Sequence, residues 1–359
     1  MVFRRVSQIY IRFEKYISAV GLIYGFIFTS LTLTRVDTFW ENLWIVVHLL
    51  VAASGIIALT YYENRPGRTE GTSLRFWLIL VIQFAFGGLF STFFVFYLRS
   101  SSLSTNWLFL LLLLILLVGN EVWKKHYARL AFQVSVLFVA VFLFLIFLLP
   151  VLVHRIGADL FIYAGLISLV IIAIFVRLLR RIAHERFKND HRTLSTSILV
   201  TLCLMNVFYF TGIIPPIPLS LKDSGVFHSI SRQADGNYIV ESESRSWLDY
   251  FFRTPVFTKR IGDTAFAFSA VFSPVNFATR IIHEWQYFDE ETNDWISRGQ
   301  ITLPIVGGRD GGFRTYSAKQ TLEPGMWRVR VLTPQGQLIG NIKFRVVNGE
   351  TVDLIQKKI

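Results

Sequence analysis

Long apolar stretches separated by short polar connections fill the first 214 residues of this 359-residue chain. A helix needs roughly 20 mostly apolar residues to cross a membrane. Seven segments come close to that length or exceed it: Tyr16–Thr34, Leu43–Tyr62, Phe76–Leu98, Trp107–Trp123, Leu130–Val153, Leu160–Val176 and Leu194–Ile214. The pattern predicts an α-helical polytopic membrane bundle of about seven transmembrane helices over residues 1–214.

The first apolar segment also has one feature of a signal peptide, because Arg4, Arg5, Arg12 and Lys15 precede it. It is long for the apolar region of a signal peptide, and no clear cleavage site of the small-x-small type follows it. We therefore expect an uncleaved first helix.

A proline cluster ends the last apolar segment. Pro215, Pro216 and Pro218 fix the backbone angle φ and remove backbone donors, so a helix cannot continue far through them. We expect a short, stiff, extended linker over residues 215–225, which would hold the next part of the chain close to the membrane surface.

Residues 226–262 carry two different signals. Phe227–Ser242 reads as a hairpin around Asp235–Gly236, which is a favourable turn pair. The aromatic run Trp247–Phe252 follows. It either lies in the outer headgroup layer of the membrane or caps the domain that comes next, and both interpretations stay open.

From Thr264 onward, apolar and polar residues alternate with the period of two that is typical of β-strands. The predicted strands are Thr264–Phe272, Thr279–Phe288, Trp295–Ile305, Phe313–Leu322, Met326–Thr333 and Leu338–Val347. Glycine and proline residues mark the turns between them. Strands of this length and spacing predict an all-β sandwich domain over residues 263–350.

The connections between the apolar segments differ sharply in their basic residues. The residues before the first segment and the connections after the second, fourth and sixth hold 16 Lys and Arg, whereas the alternate connections hold three. Basic residues are retained on the cytoplasmic side of a membrane. We therefore expect a cytoplasmic N-terminus and a C-terminal domain on the opposite side.

The overall composition agrees with a membrane protein. The chain is 53% hydrophobic and 17% charged, and its formal net charge is +12. Residues 1–221 hold 19 Lys and Arg against 9 Asp and Glu, whereas residues 222–359 hold 17 against 15. The positive excess lies between the apolar segments, so it indicates membrane topology and no nucleic-acid partner. The lone Cys203 cannot form an intrachain disulfide, and we expect it to be a packing residue.

Polar residues are sparse within the apolar segments. His48, Gln83 and Asn206 form a candidate intramembrane polar site, and Gln133 lies at a similar depth. His48 could serve as a pH sensor or metal ligand. The simpler expectation is a neutral imidazole that hydrogen-bonds within the bundle. Because charged residues at mid-membrane usually mark ion paths, their scarcity argues against an ion-coupled transporter.

The C-terminal strands carry a resemblance to a known family. Its order is His283-x-Trp285, then Arg314-x-x-Ser317-x-Lys319, then Gly325-x-Trp327-x-Val329. This run, over about Asp263–Val347, resembles the bacterial family called "domain of unknown function 2914". The whole chain resembles uncharacterised bacterial multi-pass inner-membrane proteins that carry that domain. The resemblance implies an immunoglobulin-like, periplasmic domain and an inner-membrane location, and it implies no activity.

The motif residues suggest either a recognition surface or a structural core. The candidate recognition surface consists of His283, Trp285, Arg314, Ser317, Lys319 and Trp327. A Ser–Lys hydrolase would need a buried lysine of lowered pKa and an oxyanion hole, and the sequence signals neither. We therefore expect no enzyme, no catalytic residues, no cofactor and no metal.

Three functions remain open from the sequence. The first is a non-enzymatic inner-membrane accessory or scaffold protein whose periplasmic β domain binds a protein or a glycan. The second is a membrane sensor of an extracytoplasmic ligand. The third is a transporter or channel for a small or lipidic molecule. Apart from the lipid bilayer, the expected partner is another envelope component, and a homo-oligomer is compatible with each function.

Overall fold

The computed structural model describes most of the chain outside its N-terminal region. The described residues are 24, 26–32, 38–64, 73–100, 103–122, 129–216, 218–234, 237–244, 254–260, 262–274, 278–307, 311–350 and 353–359. They form a helical unit that ends at Ile214 and a β unit that consists of Pro215–Ile359 together with the short segment Ser100–Thr105.

Seven helices occur among the described residues of the first unit. They are α1 (26–32), α2 (Phe39–Glu63), α3 (Ser73–Ser100), α4 (Leu103–Val122), α5 (Leu130–Val153), α6 (Ala158–Ile182) and α7 (His184–Phe210). Five of the seven, α2, α3, α5, α6 and α7, contain stretches long and apolar enough to cross a membrane. The apolar part of α4 is shorter, Asn106–Gly119, and most of the predicted first segment lies outside the described residues.

Helix α5 contributes the largest share of the buried side chains in this unit. Phe138, Phe142 and Phe147 are each fully buried in it. The Tyr97 hydroxyl of α3 donates a hydrogen bond to the Leu143 carbonyl of α5 at 3.3 Å. Pro150 lies one turn before the end of α5, where it removes the backbone donor to the Ile146 carbonyl.

Small hydroxyl side chains within these helices bond to their own backbone. The hydroxyls of Thr92, Ser135 and Ser168 donate to carbonyls four residues earlier, at 2.6–2.8 Å. In an apolar medium an unsatisfied hydroxyl is costly. This local bonding lets polar residues lie in apolar helices without a partner helix.

Eleven strands occur among the described residues of the β unit. They are β1 (Ser220–Phe227), β2 (Ser229–Arg232), β3 (Tyr238–Glu243), β4 (Val256–Lys259), β5 (Ala265–Phe272), β6 (Ala278–Asp289), β7 (Asp294–Val306), β8 (Phe313–Lys319), β9 (Gly325–Leu332), β10 (Leu338–Asn348) and β11 (Leu354–Lys358). They form three sheets, ordered β1-β5-β8, β4-β10-β9-β6-β7 and β11-β3-β2. Neighbouring strands are antiparallel except β4 and β10, which are parallel.

The β unit has wider boundaries than the sequence predicts. The expected linker 215–225 contains most of β1, which pairs with β5 from Ser220↔Phe272 to Phe227↔Phe266. Beyond residue 350, β11 pairs with β3. The predicted boundaries 226–262 and 263–350 therefore divide elements that belong to the same sheets. The predicted hairpin is present as β2 and β3, while its Asp235–Gly236 turn and the run Trp247–Phe252 lie outside the described residues.

The edge strand β7 has features that disfavour pairing with another chain. Its register with β6 shifts near Glu284, where Ser297 pairs with Gln286 and Gln300 pairs with Glu284. Gly299 has φ +139 in that bulge. Pro304, five residues after Gly299 on the same strand, has no backbone N–H to donate. Bulges and prolines of this kind blunt the exposed edge of a sheet.

Candidate functional site

A chain of hydrogen bonds joins the β1-β5-β8 sheet to the five-stranded sheet through four buried side chains. The Ser269 hydroxyl of β5 lies 2.8 Å from Nε2 of His283 on β6. The other ring nitrogen, Nδ1, lies 2.9 Å from the Ser317 hydroxyl of β8. Trp285 Nε1–H donates to the same hydroxyl at 3.0 Å. All four side chains are at most 3% exposed.

The strand period places these residues together. His283 and Trp285 are two apart on β6, so both side chains leave the sheet on one face. Ser269 and Ser317 lie on neighbouring strands of the opposite sheet, where Ala267 pairs with Ser317. Trp285 also packs its ring against Phe344 at a centroid distance of 6.2 Å. The face that the sequence predicts for His283 and Trp285 therefore points into the core.

The donors and acceptors available fix the direction in which these hydrogen bonds run. The indole N–H of Trp285 can only donate, so the Ser317 oxygen accepts. A continuous direction results when the Ser317 hydroxyl donates to Nδ1 of His283 and Nε2–H donates to Ser269. Every member is then satisfied with a neutral imidazole, which is the requirement for burying polar groups at low cost.

A serine next to a histidine also resembles the pair that activates a nucleophile. The exposure of the His283 side chain is 0% and that of Ser269 is 0%, so a substrate cannot reach them in this structure. Burial lowers the pKa of His283 from 6.5 to about 4. The imidazole is thus neutral at physiological pH, and its arrangement supports a structural role.

We expect the stability of the β unit to fall in mild acid because of His283. The unfolded chain binds a proton near pH 6.5, whereas the folded chain resists it down to a pKa of about 4. Stability is therefore unaffected above pH 6.5 and is lost as the pH falls from 6.5 towards 4. Between pH 7.5 and pH 5 this amounts to about 2 kcal/mol.

Urea titration of the full chain in mild detergent, read by proteolysis of the β unit, measures that loss. His283→Gln removes the titrating group, so the variant should show a smaller difference between pH 7.5 and pH 5, by about 2 kcal/mol. Equal pH dependence in the two proteins would contradict the assignment.

The remaining motif residues hold neighbouring segments in place. Trp327 is 2% exposed, and its Nε1–H donates to the Glu323 carbonyl at 2.8 Å. The Lys319 ammonium lies 6.0 Å from the Trp327 ring centre and donates to the Arg298 carbonyl at 2.7 Å. Burial, followed by the nearby Arg298 charge, lowers the pKa of Lys319. Arg314 donates to Asn237 at 2.9 Å.

The six residues of the candidate recognition surface therefore do not share one surface. His283, Trp285, Ser317 and Trp327 are buried, so they are not available to a partner. Arg314 and Lys319 are partly exposed and are bonded within the domain. The physical reason is that the strand period predicts which residues share a face but not which face is covered by the second sheet.

The three residues of the candidate intramembrane polar site lie on three different helices. His48 of α2 is buried, and its Nδ1 lies 2.9 Å from the Trp44 carbonyl. Its ring fits against Gly88 of α3, where an added Cβ would lie 2.6 Å from the imidazole. Asn206 of α7 donates to the Leu202 carbonyl at 2.8 Å, and Gln83 lies partly buried on α3. His48 and Asn206 thus each form a hydrogen bond with a backbone carbonyl of their own helix.

The outer face of the five-stranded sheet carries a group of residues that sequence reasoning missed. Its charged side chains are one carboxylate, Glu284, and five basic residues, which we call the basic face: Arg280, Arg328, Arg330, Lys343 and Arg345. Arg280, Lys343 and Arg345 are exposed. The available signal was basic residues at alternate positions, in Trp327–Val331 and in Ile342–Val346.

The register brings like charges directly opposite each other on this face. Lys343 of β10 pairs with Arg328 of β9. Side chains paired in this way lie about 5 Å apart at Cβ, and like charges there are destabilising. Burial, followed by the charge of Arg330, lowers the pKa of Arg328, although an arginine stays protonated at physiological pH. The repulsion is therefore a cost to the isolated domain.

Neighbouring side chains hold two of the guanidinium groups in place. Arg328 Nε–H donates to Gln286 at 2.6 Å, and its guanidinium lies 4.2 Å from the Trp295 ring centre. Arg330 forms an ion pair with Glu284 at 3.1 Å. Burial alone would raise the pKa of Glu284, but hydrogen bonds and Arg330 together lower it. The carboxylate thus stays ionised and offsets one of the five positive charges, and Asp294 also attracts the Arg328 guanidinium.

Among the described residues, no cluster of three or more His, Cys, Asp or Glu side chains could hold a metal ion. The basic face is suited to carboxylates or phosphates, because a guanidinium fork matches both geometries.

Comparison with solved structures gives only weak likenesses. A β-glucosidase from Listeria innocua in complex with isofagomine has a TM-score of 0.20 and 11% identity, over 32% of this chain and 17% of that chain. The alkylpurine DNA glycosylase AlkC of Pseudomonas fluorescens, bound to DNA containing an abasic site analog, has a TM-score of 0.22 and 9% identity, over 85% and 98%. The chain spans about a sixth of the length of the glucosidase.

Comparison by sequence is more informative for the β unit. No curated protein matches the chain. A family model does match it, in the region where β6 to β10 lie, and this confirms the resemblance that the His-x-Trp, Arg-x-x-Ser-x-Lys and Gly-x-Trp-x-Val motifs predict. Residues 278–346 match the family described as "Protein of unknown function (DUF2914)".

Proposed function

We propose that this protein is a non-enzymatic accessory or scaffold protein of the bacterial inner membrane, whose β domain binds an anionic envelope component in the periplasm. One observation carries the proposal. Five basic side chains share the outer face of one sheet with a single carboxylate, and two of them are directly opposed. A protein surface retains such repulsion at a cost to stability, which an anionic partner would offset.

The membrane arrangement in this proposal has seven crossings, with the N-terminus in the cytoplasm. The alternation of 16 basic residues against three in successive connections supports it. Nine residues separate the end of α7 at Phe210 from the start of β1 at Ser220. A tether of that length keeps the β domain near the membrane. We further infer an immunoglobulin-like sandwich, and the two sheets that meet at His283 support that inference.

Site-specific photo-crosslinking in intact cells tests the binding role. A benzophenone side chain replacing Val347, which lies on the same face of β10 as Lys343 and Arg345, should give one dominant adduct on the full-length protein. Arg328→Gln and Arg345→Glu in the same chain should reduce its yield about tenfold or more, since close charge pairs couple by more than 1.4 kcal/mol. Raising the salt in membrane fragments should also reduce the yield, because salt screens exposed charges.

A charge-matched control separates the face from total charge. Arg232→Glu and Lys357→Gln alter exposed residues of the β11-β3-β2 sheet by the same total charge, so they should leave the adduct unchanged. An adduct that is insensitive to the face substitutions, or one lost equally in the control, would overturn the proposed function.

A further inference from the structure

The β domain has no net charge because a basic group and an acidic group of residues cancel each other. Residues 263–350 hold nine Lys and Arg and nine Asp and Glu. The outer sheet surface accounts for five of the basic residues and one carboxylate, Glu284. Four other carboxylates lie together at the β6–β7 connection, which we call the acidic turn: Asp289, Glu290, Glu291 and Asp294. The net charges of the two features are therefore +4 and −4, and the remaining charges cancel.

The acidic turn is held in shape by its own carboxylates. Asp289 accepts hydrogen bonds from the Glu291 backbone N–H at 3.2 Å and from the Thr292 hydroxyl at 2.8 Å. Asp294 accepts from the Trp295 backbone N–H at 2.7 Å. Asn293 takes the left-handed conformation that closes the turn, with φ 52. Local bonding of this kind prepares the turn for binding, because little conformational freedom remains to be lost.

Two carboxylates of the turn are left for an external partner. Glu290 and Glu291 are both exposed at its tip. Lys343 and Arg345 are exposed on the basic face, while Arg328 and Arg330 are held by Gln286 and Glu284. The face thus combines two exposed cations, of which Arg345 also donates to the Met326 sulfur at 3.4 Å, with two guanidinium groups that polar neighbours hold in place. A compact carboxylate pair fits such positions better than a fluid lipid surface, for which mobile lysines suffice.

We propose that the acidic turn of one copy of this chain binds the basic face of a second copy. The inference rests on the proposed function and names the anionic component as the chain itself. The two surfaces differ, so the contact is heterologous, and repetition generates a ring or an open row of subunits. Every copy carries both surfaces on the same side of one membrane, and confinement there raises the encounter rate of like-oriented domains.

A photo-crosslinker beside the turn tests this contact in the full-length protein. Ile296 is exposed just after the turn, and a benzophenone side chain replacing it should give an adduct of twice the 41.4 kDa chain mass. Mass spectrometry should locate the second peptide in Gly325–Leu332 or Leu338–Asn348. Lys343→Glu with Arg345→Glu should reduce the adduct about tenfold or more, and so should Glu290→Lys with Glu291→Lys.

Charge exchange between two copies provides the decisive arm. One copy carries Glu290→Lys and Glu291→Lys, and a differently tagged copy carries Lys343→Glu and Arg345→Glu. Each variant expressed alone should give little adduct, whereas their co-expression should restore adducts between the two tags. The charge-matched variant Arg232→Glu with Lys357→Glu should behave as the unmodified chain does. Restoration requires the two surfaces to meet, so a general loss of folding cannot produce it.

Other outcomes separate this inference from the function on which it rests. Suppose that the Ile296 probe gives no self-adduct while the Val347 probe captures another protein, a glycan or an anionic lipid in a charge-dependent way. The self-contact is then wrong and the proposed function stands. If neither probe gives a charge-dependent adduct, both proposals fail. Failure of the charge exchange to restore the adduct also overturns the self-contact.

Discussion

Replacing Trp285 with alanine is expected to lower the free energy of unfolding of the β unit by about 4 kcal/mol, since large-to-small changes at buried aromatic residues typically cost 3–5 kcal/mol. The side chain is 1% exposed and packs against Phe344. Its removal also deletes the donor to Ser317. The loss therefore combines a cavity with a broken hydrogen-bond chain between two sheets.

Two variants divide that loss into its parts. Trp285→Phe keeps most of the ring but removes the N–H donor, so it should cost about 1–2 kcal/mol. Ser317→Ala removes the acceptor and also the partner of His283 Nδ1, so the double variant should cost less than the sum of the two single changes, because Trp285 and Ser317 share one bond. The matched control is Trp295→Ala, a tryptophan of the same sheet on its outer face.

Urea titration of the full chain in mild detergent measures each variant against the unmodified protein. We expect Trp295→Ala to cost about 1 kcal/mol or less, because that side chain is half-buried. A cost for Trp285→Ala no larger than that of the control would show that Trp285 is not a core residue of this domain.

A second large effect is expected at Gly312, where alanine should destabilise the β unit by about 3 kcal/mol. Gly312 has φ +84, which L side chains rarely adopt. An added Cβ would also lie 2.9 Å from backbone carbons of Ala270 and Val271 in β5. The backbone of a central, paired strand cannot move aside at low cost. The steric conflict of the new Cβ with β5 therefore adds to the cost of holding alanine at a positive φ.

Gly336 provides a matched control for that substitution. It has nearly the same conformation, φ +82, but nothing lies within 4 Å of an added Cβ. Gly336→Ala should therefore cost only the left-handed conformation, about 1–2 kcal/mol. Both variants restrict the unfolded chain equally, so that contribution cancels in the comparison. Equal costs at the two positions would contradict the close approach of Gly312 to β5.

Sequence patterns predict a helix or strand well when one of its faces, or the whole element, is apolar. Up to Phe210 the apolar segments are helical wherever the structure describes them, five of them with spans able to cross a membrane, and the C-terminal region is a β unit. The six predicted strands all occur, with boundaries shifted by a few residues. Seven crossings, the immunoglobulin-like fold and the periplasmic location stay predictions.

The missed strands lack the local signal on which such predictions depend. In β1 the register shifts between Leu221 and Asp223, which breaks the alternation. The strand β4 has only four residues. The strand β11 is Leu-Ile-Gln-Lys-Lys, mostly exposed, and its pairing with β3 rather than its composition makes it a strand.

The candidate site shows a similar limit. The sequence places His283 and Trp285 on one face, and it offers no means to see that this face meets Ser269 and Ser317. Ser269 and Ser317 lie 14 and 34 residues from His283 in the sequence, on other strands. The basic face is the reverse case, since its residues alternate visibly with buried ones, but their arrangement across β9 and β10 depends on register.

The pairing of β11 with β3 has a consequence for the time course of biosynthesis. Partner residues in these strands, such as Leu354 and Glu243, are about 110 residues apart in the chain. At a synthesis rate of about 5–20 residues per second, β3 emerges roughly 5–20 seconds before β11. During that interval one edge of β3 lacks its final neighbour, and unpaired edges attract strands of other chains. The nascent domain would benefit from a chaperone that shields this edge until residue 358 has been made.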